Sequence, residues 1–234
     1  MTQRIEADQV AQHLKPGMTV FIADATAEPT VILDALSKAE AQCAGVRFVS
    51  VSLPGINKTD FTSFHAEAKA TSFFATPETR DAINAGRIDF IPLQYRAIYS
   101  YLERDLDIDI AIMQLPPADT DGMISLGIGV DFVPAVLSKA KMVIAESNDQ
   151  QLSPPGSPKI PESAIDFTVA CSRPMATFPT AKVNDIAREI GRHVADLVQD
   201  GDCIQIGIGA IPDAALAALS DKNDLGFHSG MLAD

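Results

Sequence analysis

The chain has 234 residues, 47% of them hydrophobic and 21% charged, with a formal net charge of −13; this is the composition of a globular protein with room for one large domain, or one domain plus part of another. Acidic residues outnumber Lys and Arg 31 to 18 without a basic stripe, which excludes a surface built to track nucleic-acid phosphates. The start "MTQRIEADQVAQHLKPG" lacks the basic, then apolar, pattern of a secretory signal, and no apolar run reaches the roughly 20 residues that span a bilayer, so a cytoplasmic protein off the membrane is expected.

In chain order, "MTVFIA" (18–23) opens a series of short apolar, β-branched-rich runs that continues with "VRFVSVSL" (46–53), "IDFIPL" (88–93), "DIAIMQL" (109–115) and "MVIAES" (142–147). Runs of this length between amphipathic stretches predict buried parallel strands with crossover helices. The fold class expected is α/β, an open, mostly parallel sheet with flanking helices. "TVILDALSKAEA" brings Val31, Ile32, Ala35 and Leu36 to one helical face, and "TPETRDAINAGR" reads as a short helix ending near Gly86. The segment "MQLPPADTDGMISLGIGVDF" follows a strand with Pro116 and Pro117, a turn at Gly122 and a glycine-rich stretch at Gly127. Open α/β sheets bind ligands beyond the carboxyl ends of their strands, so this loop is a candidate binding segment or a long connection. "SPPGSPKIPES" (153–163) carries four prolines and reads as a loop or crossing arm.

"VNDIAREIGRHVADLVQDG" places Ile186, Ile190, Val194, Leu197 and Val198 on one face of a helix of about four turns. A second domain is expected to begin here, giving 1–183 as one α/β domain and 184–234 as the start of a similar one. An internal repeat supports that division. Residues 10–36 overlay residues 194–219, pairing Val10 with Val194, Gly17 with Gly201, Ile22 with Ile206 and, after one dropped residue, Pro29 with Pro212. "LGFHSGML" then corresponds to "VRFVSVSL", a second strand whose companions would lie beyond Asp234.

"CIQIGIGAIPDAALAAL" reads as strand, turn and helix. Gly207 and Gly209 let backbone approach a ligand, and the helix start offers unpaired N–H groups to an anion; a tight turn with no ligand fits the same residues. Pro212 stands where the dinucleotide fingerprint needs its third glycine, which argues against a nicotinamide or flavin cofactor. His13, His65 and His193 read as solvated or core-edge residues. His228 and Ser229 are successive strand residues facing opposite sides, so they do not form a nucleophile–base pair. Asp24, Glu28, Asp119, Asp121 and Asp131 fall mostly on loops and read as solvated. Cys43, Cys171 and Cys203 have neither CxxC spacing nor an even count, so no disulfide framework and no metal site is expected; they read as buried small residues.

"QLPPADTDGMISLGIGVDF", "KAKMVIAESND", "SAIDFTVACSRPMATFP", "IGRHVADLVQDGDCIQIGIGAIPDAAL" and "DLGFHSGMLAD", in that order, resemble the acetyl-CoA hydrolase/transferase family. This group of family I CoA-transferases includes the acetate and 4-hydroxybutyrate enzymes. The resemblance implies two related α/β domains with an active site between them, in chains much longer than this one. It implies acyl-CoA and small carboxylates as substrates, coenzyme A as a substrate rather than a resident cofactor, and a homo-oligomer or a missing C-terminal half. The family's chemistry is acyl exchange through a glutamate that attacks the thioester, with backbone N–H groups stabilising the oxyanions. In relatives that glutamate follows the Ser or Thr of an H-S/T-E-M segment; here the segment reads "HSGM" and Gly230 stands at the nucleophile position. A cleft lined by Gly207, Ile208, Gly209, Ala210, Pro212, His228, Ser229 and Gly230 is implied. An active enzyme using another carboxylate, a divergent CoA enzyme and a non-catalytic acyl-CoA-binding or assembly subunit all remain open.

Overall fold

The computed structural model describes residues 2–177 and 182–231, and the chain divides into two compact units, Met1–Phe178 and Pro179–Asp234. The expected domain boundary adjoins residues outside the described set, and Leu232–Asp234 of the closing motif lie outside it as well.

The first unit is built on strands β1 (Gln3–Arg4), β2 (Thr19–Ile22), β3 (Arg47–Ser50), β4 (Lys69–Ser72), β5 (Ile88–Phe90) and β6 (Ile110–Leu115). The short β7 (Met123–Ser125), then β8 (Met142–Asn148), β9 (Lys159–Pro161) and β10 (Phe167–Cys171) follow. Its helices are α1 (Thr30–Lys38), α2 (Arg80–Asn84), α3 (Tyr95–Arg104) and α4 (Val133–Leu137). Eight strands make one sheet in the order β1-β10-β8-β6-β2-β3-β4-β5, with every neighbouring pair parallel. All five strand runs read from the sequence are present. β6, apolar along nearly its whole length, is buried at every residue in the middle of the sheet.

Strand alternation feeds two cores. Val20, Ile22, Phe48, Ile110, Ile112 and Ile144 face α1 and the N-terminal 3-10 helix Ala7–His13. Phe21, Val49, Ala111, Met113 and Val143 face Ile98 and Leu102 of α3 and Val133 and Val136 of α4. Chain progression reverses between two adjacent strands: from β2 it runs outward through β3, β4 and β5, and from β6 it runs the other way through β8 and β10. Loops leaving such a pair at their carboxyl ends diverge to opposite faces and open a crevice, the usual ligand position of an open α/β sheet.

The proline-rich segment 153–163 is not wholly irregular. Its β9 pairs antiparallel with β7 in a separate two-stranded ribbon, an edge pairing in which Pro161 can take part without a ladder N–H.

The second unit contains α5 (Asp185–Ala195), β11 (Cys203–Ile204), α6 (Ala210–Ala217) and β12 (Gly226–Phe227), the two strands parallel. The register repeats that of the first unit: Thr19 lies opposite Arg47 and Val20 opposite Phe48, as Cys203 lies opposite Gly226 and Ile204 opposite Phe227. The paired turn glycines share a left-handed backbone, φ 86° at Gly17 and 83° at Gly201.

Helix α5 is shorter than its apolar pattern predicts and presents a different face to its neighbour. It packs on α6 through Ala187, Gly191 and Ala195, and a Cβ on Gly191 would stand 2.6 Å from the Ala214 carbonyl oxygen. The expected core stripe is outward: Ile186, Ile190, Val194 and Leu197 are 72%, 37%, 38% and 81% exposed. Close helix approach selects small residues, so Gly191 rather than the isoleucines sets the contact.

Candidate functional site

At the β2/β6 crevice the chain leaves β2 into a turn, residues 24–29, held by side chains from four other places. Asn57, beyond β3, accepts from the Ala25 N–H at 3.0 Å and the Leu53 N–H at 2.9 Å through one oxygen. Gln114 of β6 donates to the Thr26 carbonyl at 2.9 Å. Arg173, beyond β10, donates to the Glu28 carbonyl at 2.6 Å. Glu146 of β8 accepts from the Val31 and Ile32 N–H groups at 2.9 and 3.0 Å. Pro29, at the N-cap of α1, has no side-chain acceptor, so a buried carboxylate from another strand caps the helix instead. Glu146 is itself fully buried and paired with Arg173 at 2.9 Å.

This bracing holds an unfavourable backbone. Ala25 has φ 48° and Asp131, facing the turn from the glycine-rich loop, has φ 30°, a region that costs side-chain-bearing residues roughly 1–2 kcal/mol. Left-handed residues of this kind cluster where geometry is fixed for a purpose. The loop also packs closely: a Cβ on Gly129 would stand 2.7 Å from Thr26 Oγ1.

Asp24, Glu28 and Asp131 converge here, and two of them are not the solvated loop carboxylates expected from sequence: Asp24 is 4% and Glu28 8% exposed. Burial, with repulsion from Asp131, pushes Asp24 up to about 8. Burial pushes Glu28 up to about 7 against the lowering influence of Asn57 and Arg173. Burial also raises Asp131, opposed by the hydrogen bond it accepts from the Tyr95 hydroxyl at 2.8 Å. No group of three or more His, Cys, Asp or Glu side chains among the described residues is arranged to hold a metal ion.

The loop residues singled out from sequence take varied positions. Pro116 is buried at the end of β6 and Pro117 is exposed. Gly122 closes a turn whose N–H donates to the Asp119 carbonyl at 3.0 Å, and Asp119 is solvated and paired with Lys159. Gly127, at φ 72°, lies against the amide of Gln151, which joins Gln114 and Asn148 in a buried amide chain. Sequence reading missed Asn57, Glu146 and Arg173 as site residues. Glu146 and Arg173 lie in the family-like segments "KAKMVIAESND" and "SAIDFTVACSRPMATFP", but neither segment marks them as site residues; the signal in the residues themselves was a carboxylate and an amide ending an otherwise apolar β8.

In the second unit, Gly207, Ile208, Gly209, Ala210 and Pro212 form the turn after β11 and the first residues of α6, with Gly209 at φ 124° preceding the helix. His228, Ser229 and Gly230 follow β12. The two segments leave neighbouring parallel strands at the same end. The Ser229 hydroxyl accepts from the Ile206 N–H and donates its one proton to the Ile206 or Met231 carbonyl, each at 2.8 Å; it ties strands together. His228 is exposed. Among the described residues, no heavy atom lies within 4 Å of a Cβ built on Gly230, whose φ is outside the left-handed region. Among the cysteines Cys43 is buried, Cys171 half-buried and Cys203 exposed, so the expectation of three buried thiols holds only for the first.

A doubly wound parallel sheet of this kind is shared with solved CoA-transferase-like folds. RipA from Yersinia pestis superposes with a TM-score of 0.88 at 24% identity, over 98% of this chain and 56% of that one. A 4-hydroxybutyrate CoA-transferase from Porphyromonas gingivalis gives 0.77 at 24%, over 99% and 55%. Among curated proteins, the 4-hydroxybutyrate coenzyme A transferase of Clostridium kluyveri is 32% identical over 98% of this chain and 54% of its own length. The succinyl-CoA:cyclohexane-1-carboxylate CoA transferase of Geobacter metallireducens is 28% identical over 97% and 52%. The chain thus spans about half the length of these relatives. It belongs to the acetyl-CoA hydrolase/transferase family, whose N-terminal domain model matches residues 2–170.

Proposed function

We propose that this chain is the N-terminal portion of a CoA-transferase or acyl-CoA hydrolase acting on short-chain acyl-CoA and small carboxylates, of the acetyl or 4-hydroxybutyryl type. The observation that carries this reading is the family match over residues 2–170, joined to relatives named as CoA transferases along nearly the whole chain. Coenzyme A enters as part of the substrate and no resident cofactor is invoked. The second unit is read as the opening of a second α/β domain. Its outward stripe supports this: Val10 of the first unit is fully buried against sheet residues that include Ile144 and Val169, whereas its repeat partner Val194 is 38% exposed. Further strands of a second domain, or another subunit in a homo-oligomer, would cover that stripe. A cytoplasmic location is part of the same reading; among the described residues no helix is long and apolar enough to cross a membrane.

In this reading the turn 207–212 and residues 228–230 line the substrate cleft, with N–H groups of the turn available to an oxyanion. Incubating the protein with butyryl-CoA and acetate, and following acetyl-CoA by chromatography, tests the proposal. Acceptor-dependent exchange or CoA release is expected; a protein that neither binds nor turns over a CoA ester rejects it.

Gly230 favours a second reading, a non-catalytic acyl-CoA-binding or assembly subunit, because no side chain is present to attack a thioester. Gly230→Glu separates the two. Activity that appears only in the variant marks a site lacking its nucleophile, whereas equal activity in both proteins marks chemistry that does not use position 230.

A further inference from the structure

A small cavity lies between the outer strands β3, β4 and β5 and the segments around Phe61 and Thr79. Strand alternation carries Phe48, Ala70 and Ile88 onto the face of the first core, and Ser50 and Ser72 continue that same face. The two serines are partners in the β3/β4 register, are 4% and 6% exposed, and line the cavity beside Ala70 and Ile88. Ser52, from the loop after β3, and Thr79, just ahead of α2, add two more buried hydroxyls. Among the described residues no charged side chain lines this space.

The hydroxyls leave hydrogen-bonding capacity unspent. Each offers one proton and two lone pairs. Ser72 gives its proton to the Phe74 carbonyl at 2.8 Å, and among the described residues no donor reaches its lone pairs. Ser50 accepts from the Ser52 hydroxyl at 3.4 Å, longer than an ordinary O–H···O bond, and its own proton meets no acceptor among the described residues. A buried donor thus stands next to a buried acceptor on the neighbouring strand, and no direct bond joins them. Leaving both unmatched is costly, and native interiors rarely do so.

We propose that this cavity binds one ordered water, which accepts from the Ser50 hydroxyl and donates to Ser72 Oγ. The space has room for about one water. The Ser52 and Thr79 oxygens offer acceptors for its second proton, which gives the two to four polar partners an internal water needs. Water suits the site better than an ion does, because neutral hydroxyls leave a desolvated charge uncompensated. The residue between Ser50 and Ser52 is Val51, whose N–H donates to the Asp24 carboxyl at 3.2 Å, so the water backs the loop that holds Asp24.

Crystals of the 234-residue protein, with and without xenon under pressure, test the site directly. A single water peak within about 3.2 Å of both Ser50 Oγ and Ser72 Oγ is expected, and xenon is expected to stay out, since it enters dry apolar cavities. Xenon in the cavity, no density there, or a direct Ser50–Ser72 hydrogen bond overturns the proposal. Urea denaturation read by tyrosine fluorescence supplies a second measurement. Ser50→Ala and Ser72→Ala are each expected to lower the folding equilibrium constant about tenfold, the scale of one buried hydrogen bond lost. Because both variants loosen the same water, the double variant is expected to lose far less than the roughly 100-fold of independent sites. A double-variant loss equal to the product of the single losses shows that no water is shared and overturns the proposal.

Discussion

Replacing Asp24 by Asn should change how stability depends on pH. In the unfolded chain an aspartate titrates near 3.8, and burial beside Asp131 holds the folded group at about 8. Between those values the folded protein binds a proton that the unfolded chain has released, so stability declines as pH rises. The contribution is fully present below pH 3.8, declines through neutrality and is exhausted above about pH 8. At about 1.4 kcal/mol per pH unit, the total is on the order of 5 kcal/mol. Asp24→Asn keeps an oxygen to accept from the Val51 N–H, a 3.2 Å bond in the wild type, and removes the titration. All three tyrosines, Tyr95, Tyr99 and Tyr101, lie in α3, so tyrosine fluorescence during urea denaturation reports the first unit alone. The stability advantage of the variant over wild type should grow with pH from 5 to 8, by up to about 1.4 kcal/mol per unit. A difference that stays flat over that range would falsify the assignment of a proton to Asp24.

Further outcomes follow from single contacts, each read by denaturation unless stated. Arg173→Ala leaves Glu146 fully buried without its cation and should cost about 3–5 kcal/mol, again by tyrosine fluorescence. Gly127→Ala combines a left-handed backbone with a clash against Gln151, and a loss of about 1–3 kcal/mol is expected. Gly191→Ala drives a methyl group into the Ala214 carbonyl, so the second unit should become the first site of limited proteolysis while the first unit keeps its tyrosine-detected transition; unchanged cleavage would contradict the α5–α6 packing. At Gly230→Glu the new Cβ meets no atom of the described residues and no backbone strain, so stability should stay within about 0.5 kcal/mol of wild type, and mass spectrometry after butyryl-CoA addition should reveal an acyl or CoA adduct at position 230.

The parallel strands and principal helices were legible because their signals are local. A run such as "DIAIMQL" is apolar on both faces and too short for a buried helix, so it specifies an interior strand whatever surrounds it. The repeat was legible for the same reason: matched glycines and apolar positions set one register in both units. The GxG turn and the missing carboxylate at Gly230 were likewise visible as residues in order. Other features depend on what lies across space. Asp24 and Glu28 sit in a polar-looking loop, and only the sheet reversal at β2 and β6 buries them together. Glu146 caps α1 from 115 residues away in sequence, a distance over which no local pattern carries information. In α5 the residue pattern set the helical period but not the buried face, because the hydrophobic effect rewards covering the isoleucine stripe only where a partner surface exists, while Gly191 is what allows α6 to approach. Composition and periodicity thus determined the elements and the family pattern; the tertiary structure decided which carboxyls leave water, because desolvation belongs to the assembled crevice and not to any residue by itself.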